Sequence, residues 1–175
     1  MTASRYAPSE PGTTPRRVVV LGIGNTLCED EGLGVHAALA LQQGFELPSD
    51  VQVIDGGTAG MELLDPLADL DLLLVLDAVK APQPAGSLVC LQGAEVPVFF
   101  RSKLSPHQVS ICDVLASLEF AGAAPRQLLL VGLVPERMEL GLAMTPTVAA
   151  RVPQMLQAAV ALLARHGVDA EPRLH

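Results

Sequence analysis

The chain has 175 residues, a net charge of −8, a hydrophobic fraction of 50% and a charged fraction of only 17%. A chain of this length fits one domain and buries about 70% of its unfolded surface. It contains no Trp, one Tyr and four Phe. Nucleic-acid binding needs basic grooves and aromatic platforms, so the composition argues against nucleic acid, and the negative charge argues against anionic membrane surfaces.

The N-terminal segment and the cysteines of the chain indicate its compartment. Residues 1–16 are polar and lack the apolar region of a secretory signal, so we predict a disordered leader before a single domain over residues 17–175. The chain has no stretch of about 18 uninterrupted apolar residues, so we predict no transmembrane helix. The three widely spaced cysteines lack a C-x-x-C pair, which is typical of reduced thiols. We therefore predict a cytoplasmic protein.

Five apolar runs, each ended by glycine, proline or polar residues, predict buried strands. They fall at residues 17–24, 51–55, 71–77, 87–91 and 127–134. Strands that alternate with helices indicate an α/β fold. We predict a three-layer αβα domain, in which a mostly parallel twisted sheet of about five strands carries helices on both faces.

The segments between these strands carry helix signals. Acidic residues at 29–31 open a helix that runs to about Gln43, and a short helix covers residues 61–67. Residues 105–108 (Ser-Pro-His-Gln) have the form of a capping box, which predicts a helix continuing through Leu118. Thr145 opens the last helix, which Pro153 kinks or splits and which ends at Gly167.

Three polar side chains follow the predicted strands or begin helices. Glu31 lies in the turn after the first strand, Asp77 ends the third strand, and His107 lies in the capping segment. Ligands of open α/β sheets bind outside the carboxyl ends of the strands. Two carboxylates and one imidazole that converge there would form an open site for a divalent ion such as nickel or zinc.

Each of the three residues also has an ordinary structural interpretation. Glu31 could simply complement the dipole of a helix, and a lone histidine such as His107 is more often a surface residue. Asp77 is harder to dismiss, because a carboxylate that ends an apolar run is partly desolvated and must find a partner. Cys28, in the same turn as Glu31, has acidic neighbours that would raise its pKa, which does not suit a nucleophile.

The glycine turn after the first strand invites a dinucleotide-binding interpretation, with Asp55 as the ribose acid. The fingerprint needs a third glycine where the chain has Leu27. Acidic residues at 29–31 would also repel a pyrophosphate. A nucleotide site is therefore disfavoured.

Five segments of the chain resemble, in matching order and spacing, the nickel–iron hydrogenase maturation endopeptidases. The resemblance covers about residues 17–170, and its segments are 22–34, 55–60, 76–78, 105–108 and 131–136. Enzymes of that family remove a C-terminal extension from the hydrogenase large subunit after nickel is inserted. The resemblance assigns the family's metal-contacting Glu, Asp and His to Glu31, Asp77 and His107, and the Asp of its Asp-Gly-Gly-Thr loop to Asp55.

The resemblance implies a substrate, a metal and a partner. The ion would be nickel already held by the precursor, although other divalent ions could substitute. The partner would be the large-subunit precursor, bound through its C-terminal tail by a monomeric protein. Cleavage would fall just after a His or Arg that follows the last metal-binding Cys motif of the large subunit.

Two mechanisms of peptide hydrolysis stay open at this point. In one, a metal polarises water or the carbonyl, with Asp77 or Asp55 as general base. In the other, the metal serves recognition only and a pair of carboxylates activates water, as in aspartyl proteases, although Asp55-Gly-Gly is not the pepsin-like signature. A serine mechanism is disfavoured, because the chain has no Gly-x-Ser-x-Gly elbow.

Two other classes of function remain as alternatives. A non-catalytic nickel chaperone would use the same three ligands, and a small-molecule enzyme would need a deep apolar pocket near Gly22 and Asp55. A peptidase needs an open cleft, for which residues 82–84 and 96–105 are candidate rims. An exposed sheet edge could bind the tail by strand addition.

Overall fold

A computed structural model describes residues 17–101 and 110–174. The predicted leader over residues 1–16 lies outside these residues, and so does the capping segment at 105–108 that contains His107. The predictions made for the leader and for His107 therefore stay predictions.

The centre of the fold is a five-stranded sheet, in which four strands are parallel and one edge strand is antiparallel. Two further short strands pair as a separate antiparallel ribbon, which the sequence analysis missed. The strands are β1 (Val18–Ile23), β2 (Phe45–Glu46), β3 (Val51–Gly57), β4 (Leu72–Ala78), β5 (Leu88–Gln92), β6 (Gln127–Leu133) and β7 (Glu171–Pro172). The order across the sheet is β3-β1-β4-β6-β5, and β2 pairs with β7.

Helices cover both faces of the sheet, which confirms the predicted αβα layers. In chain order they are α1 (Leu33–Gly44), α2 (Leu64–Leu67), α3 (Glu95–Arg101), α4 (Ile111–Ala121), α5 (Pro146–Ala149) and α6 (Val152–Arg165). Helices α1, α5 and α6 pack on one face, while α2, α3 and α4 pack on the other. None of the helices in the described part of the chain is long and apolar enough to cross a bilayer.

Alternate residues of each buried strand belong to opposite cores. Leu72, Leu74 and Leu76 of β4 contribute to the core beneath α1 and α6, whereas Leu73 and Val75 contribute to the core beneath α2 to α4. This alternation follows from the two-residue period of a strand. It determines which face each functional side chain occupies.

The helix predicted to run from residue 105 through Leu118 was wrong in its start. Helix α4 begins at Ile111, and Ser110 is its N-cap in extended backbone conformation. Ser110 and Asp113 form the capping box, with the Ser110 N–H donating to Asp113 Oδ2 at 2.7 Å. The local Ser-x-x-Asp pattern is thus the capping box that starts this helix.

The end of the chain agrees with the predicted split helix, whereas helix α3 was not expected. Pro153 splits the last helix, because it occupies the first turn of α6 and separates it from α5. Gly167 follows the C-cap of α6 with a positive φ of 77°, as predicted. Helix α3 was not predicted, and it covers most of the segment that was proposed as a rim.

Candidate active site

Glu31 and Asp77 flank the point where the chain changes direction across the sheet. Strand β1 leads through α1 to β3 on one side, while β4 pairs with β1 on the other side. Glu31 lies in the 3-10 turn Glu29–Gly32 after β1, and Asp77 is the penultimate residue of β4. The 3-10 turn contacts β4. Such a switch point is the usual ligand site of an open α/β sheet.

Glycines allow the start of α1 to lie directly on the ends of these strands. A Cβ on Gly34 would lie 2.1 Å from the carbonyl oxygen of Leu76, and one on Gly24 would lie 1.8 Å from the carbonyl oxygen of Glu31. Gly24 also has a φ of 134°, which L side chains rarely adopt. The glycine turn therefore serves close backbone packing around Glu31, which explains it without a bound nucleotide.

Asp77 is buried, with 6% of its surface exposed. By the alternation along β4 it belongs to the face covered by α2, α3 and α4. Gly132 pairs with it on β6, where a Cβ would lie 2.3 Å from the Asp77 carbonyl oxygen. The predicted desolvation of this carboxylate is confirmed.

Asp55 occupies a different environment. It is exposed near the end of β3, and its Oδ1 accepts the Gly57 N–H at 3.0 Å. It pairs with Gly22, which pairs in turn with Leu76. Two strand spacings of about 4.8 Å each separate it from β4, and its parity places it on the face opposite Asp77. Carboxylates that share one proton lie about 3 Å apart, so the register disfavours Asp55 and Asp77 as such a pair.

The third predicted metal ligand, His107, lies outside the described residues. Within residues 17–101 and 110–174, no group of three or more His, Cys, Asp or Glu side chains could hold a metal ion. Among the described residues, Glu31 and Asp77 are the two predicted ligands that lie at the switch point.

Asp30 is a functional candidate that the sequence analysis missed. Its side chain is fully buried, with 0% exposure, and accepts hydrogen bonds from the backbone N–H groups of Glu136, Arg137 and Thr145 at 2.9, 3.0 and 2.7 Å. The Thr145 hydroxyl lies 3.0 and 2.9 Å from its two carboxylate oxygens. No local signal identifies it, because every partner lies more than 100 residues away along the chain.

Glu29 forms a two-pronged ion pair with Arg137. The guanidinium donates from Nε and from one terminal nitrogen to the two carboxylate oxygens, both at 2.7 Å. Hydrogen bonding from Arg137 lowers the pKa of the Glu29 carboxyl below its ordinary value. The acidic residues at 29–31 were predicted to open an α-helix. Instead they form a 3-10 turn, and Glu29 and Asp30 bind the segment at 136–145.

The Cys28 thiol is held protonated. Burial raises the pKa of Cys28 first, and the charge of Glu31 and a hydrogen bond to it raise it further. The predicted direction is confirmed, but desolvation contributes more than the acidic neighbour. A thiol with a raised pKa is a poor nucleophile at neutral pH.

Comparison with known proteins identifies the family. A family model described as hydrogenase maturation protease matches residues 35–162. The chain belongs to this family. It is 45% identical over 158 residues to the hydrogenase 2 maturation protease of Escherichia coli, an alignment that covers 90% of this chain and 96% of that protein. It is also 41% identical to the hydrogenase expression/formation protein HupM of Azotobacter chroococcum, over 93% of this chain and 78% of that protein.

Solved structures agree with this assignment. The hydrogenase maturating endopeptidase HybD of E. coli matches with a TM-score of 0.85 and 45% identity, over 90% of this chain and 98% of that chain. The maturation protease HycI of Thermococcus kodakarensis matches with a TM-score of 0.68 at 21% identity, which shows the shared fold alone. The protein is thus a hydrogenase maturation endopeptidase, as the resemblance implied.

Proposed function

We propose that this endopeptidase removes the C-terminal extension of a nickel–iron hydrogenase large-subunit precursor after nickel insertion, and that Glu31, Asp77 and His107 contact the nickel. The observation that carries the proposal is the position of Glu31 and Asp77 on either side of the β1–β4 switch point. In a chain whose relatives are named hydrogenase maturation proteases, two carboxylates there fit a site that senses a divalent ion.

The surroundings of Asp77 support His107 as the third ligand. Arg101 and Ser110, which flank the segment containing His107, end α3 and cap α4. Both helices pack on the face of the sheet to which Asp77 belongs. Because His107 lies between Arg101 and Ser110 in the sequence, we propose it as the third ligand beside Asp77.

Exposed leucines beside the site support a protein substrate. Leu27, Leu140 and Leu142 are exposed by 59%, 88% and 75%. They lie on two backbone segments joined by the Gly141 N–H, which donates to the Leu27 carbonyl oxygen at 2.9 Å. Exposed apolar clusters at a site are typical of protein-binding surfaces. A precursor that carries nickel and an extended tail would cover this surface, whereas a small molecule would not need it.

We assign the general base to Asp77. Its carboxylate is largely shielded from solvent, and it would take a proton from the water that attacks the scissile carbonyl. Asp55 is the second candidate, and its exposure makes it the weaker one. Nickel belongs to the precursor and acts as part of the substrate, so the chain's own contribution is to bind it, orient the tail and move the proton.

The test compares nickel-loaded and nickel-free precursor large subunit, each incubated with the protein, with mass spectrometry of the precursor's C-terminus. We expect loss of a short tail only in the nickel-loaded sample. Glu31→Gln should abolish that loss, while Glu119→Gln, which changes an exposed glutamate on α4, should process normally. An intact precursor together with nickel transfer to the protein would indicate a metal chaperone instead.

Three finer predictions accompany this proposal. The tail binds in extended form, and strand addition could occur at β3 or β5, the two edges of the five-stranded sheet. The protein acts as a monomer, and the reaction takes place in the cytoplasm. Light scattering measures the oligomeric state, and cell fractionation measures the compartment.

A further inference from the structure

We propose that Asp30 is a positioning residue, which fixes the Glu31 turn and the segment at 136–145 as one rigid unit. This inference rests on the proposed role of Glu31. Asp30 precedes Glu31 in the 3-10 turn, and its carboxylate accepts three backbone N–H groups from the distant segment. A shift of Asp30 would therefore move Glu31.

The chemistry around Asp30 calls for a carboxylate in particular. Three N–H groups and the Thr145 hydroxyl converge on its two oxygens, so every group that bonds this carboxylate can act as a donor. No ion pair with a cation is formed by this side chain within the described residues. A buried carboxylate is stabilised in this way when several donors point at it. An amide would turn one acceptor into a donor facing other donors.

The Thr145 side chain bonds Asp30 and does not cap its own helix. It is the N-cap of α5, yet its side chain makes no capping hydrogen bond to the helix. Its hydroxyl lies instead against both oxygens of Asp30, and the residue is 3% exposed. Helix α5 therefore starts at a residue whose backbone N–H and hydroxyl both bond Asp30 in the turn beside Glu31.

The Glu31 side of the unit is held equally closely. The Glu31 N–H donates to the Cys28 carbonyl oxygen at 2.9 Å, and its own carbonyl oxygen packs on Gly24. The Asp30 N–H donates to the Arg137 carbonyl oxygen at 3.2 Å. Because Asp30 and Glu31 are adjacent in this short 3-10 turn, the loss of the Asp30 contacts changes the placement of Glu31 while the sheet beneath stays intact.

The test measures steady-state processing of nickel-loaded precursor by Asp30→Asn, Thr145→Val and Thr145→Ser. We expect Asp30→Asn to lower kcat by about 100-fold with KM almost unchanged, because a displaced Glu31 disturbs the reacting geometry while the exposed leucines still bind the precursor. Thr145→Val, which lacks the hydroxyl, should lower kcat by about tenfold. Thr145→Ser, which keeps the hydroxyl, should have the kcat of the wild type.

Val18→Ala serves as the stability-matched control. Val18 is buried at the amino end of β1, at the opposite end of that strand from Glu31. It should lower the melting temperature without lowering kcat. Equal kcat values for Asp30→Asn and Val18→Ala at equal thermal stability would overturn the inference, and so would a change in KM alone. Failure of the wild-type protein to cleave would instead overturn the proposed function.

Discussion

The two ends of the central sheet hold their carboxylates in different ways. At the amino end, Asp71 accepts the Arg17 N–H at 2.9 Å and lies 3.5 Å from Arg126, whose side chain is 81% exposed. At the carboxyl end, Asp30 is fully buried among donors that have no charge, and Asp77 is 6% exposed. All three residues are aspartates, but Asp71 is more exposed to solvent than Asp30 and Asp77.

This contrast predicts which acidic residues affect processing of the precursor when they are mutated. An exposed ion pair contributes about 0–1 kcal/mol, because water competes with the partner. A desolvated carboxylate interacts strongly with whatever charge approaches it. We therefore expect mutations at the carboxyl end to affect processing and matched mutations at the amino end to affect it little.

The largest effect should come from Asp77→Asn, with Asp71→Asn as its counterpart at the amino end. Without a general base, processing by Asp77→Asn should fall by about 10³-fold, while its circular dichroism stays that of the wild type. Asp71→Asn should process within about twofold of the wild type and lose about 0–1 kcal/mol of stability. An Asp77→Asn protein that still trims its precursor would remove Asp77 as an essential group.

The next effect is expected from Arg137→Ala, which removes the partner of Glu29. Arg137 holds the pKa of the Glu29 carboxyl below its ordinary value. The ion pair therefore stabilises the folded state fully when the pH is above that ordinary pKa, and the stabilisation is lost as the pH falls through the lowered pKa. The melting temperature of Arg137→Ala should therefore lie below that of the wild type at pH 7, and the gap should close in acid. Thermal unfolding from pH 7 to pH 3 measures it. A gap that stays constant with pH would contradict the role of Glu29.

A smaller effect is expected from Asp55→Asn. The asparagine keeps the Oδ1 that accepts the Gly57 N–H, so the turn after β3 should persist. Because the register holds Asp55 on the face opposite Asp77, we expect processing to fall by less than about tenfold, well short of the loss of a general base. Single-turnover cleavage measures this directly. A loss as large as that of Asp77→Asn would make Asp55 the base.

The smallest effect should follow from Cys28→Ser. Burial and Glu31 raise the pKa of the thiol, so Cys28 does not act as a nucleophile at neutral pH. A serine hydroxyl can donate to Glu31 in its place, and processing should stay within about threefold of the wild type. Iodoacetamide should likewise leave the wild-type rate almost unchanged. Inactivation by alkylation that Cys28→Ser escapes would show that the thiol takes part.

Much of the fold could be predicted from the sequence because its signals are local. Continuous apolar runs identified all five strands of the main sheet, and Pro153 and Gly167 marked the split and the end of the last helix. Asp77 was identifiable as a desolvated carboxylate because it ends such a run. The start of α4 was missed because two serines offered competing capping signals, and β2 and β7 were missed because two-residue strands have no periodicity.

The sequence by itself determined the five strands of the main sheet, the family and the carboxylates available at the ends of these strands. Only the tertiary structure decided how those carboxylates are used. It buried Asp30 against a segment more than 100 residues away, paired Glu29 with Arg137, and put Asp55 and Asp77 on opposite faces of the sheet. Hydrogen-bond partners and solvent exposure depend on which distant segments meet, and no short stretch of sequence encodes that meeting.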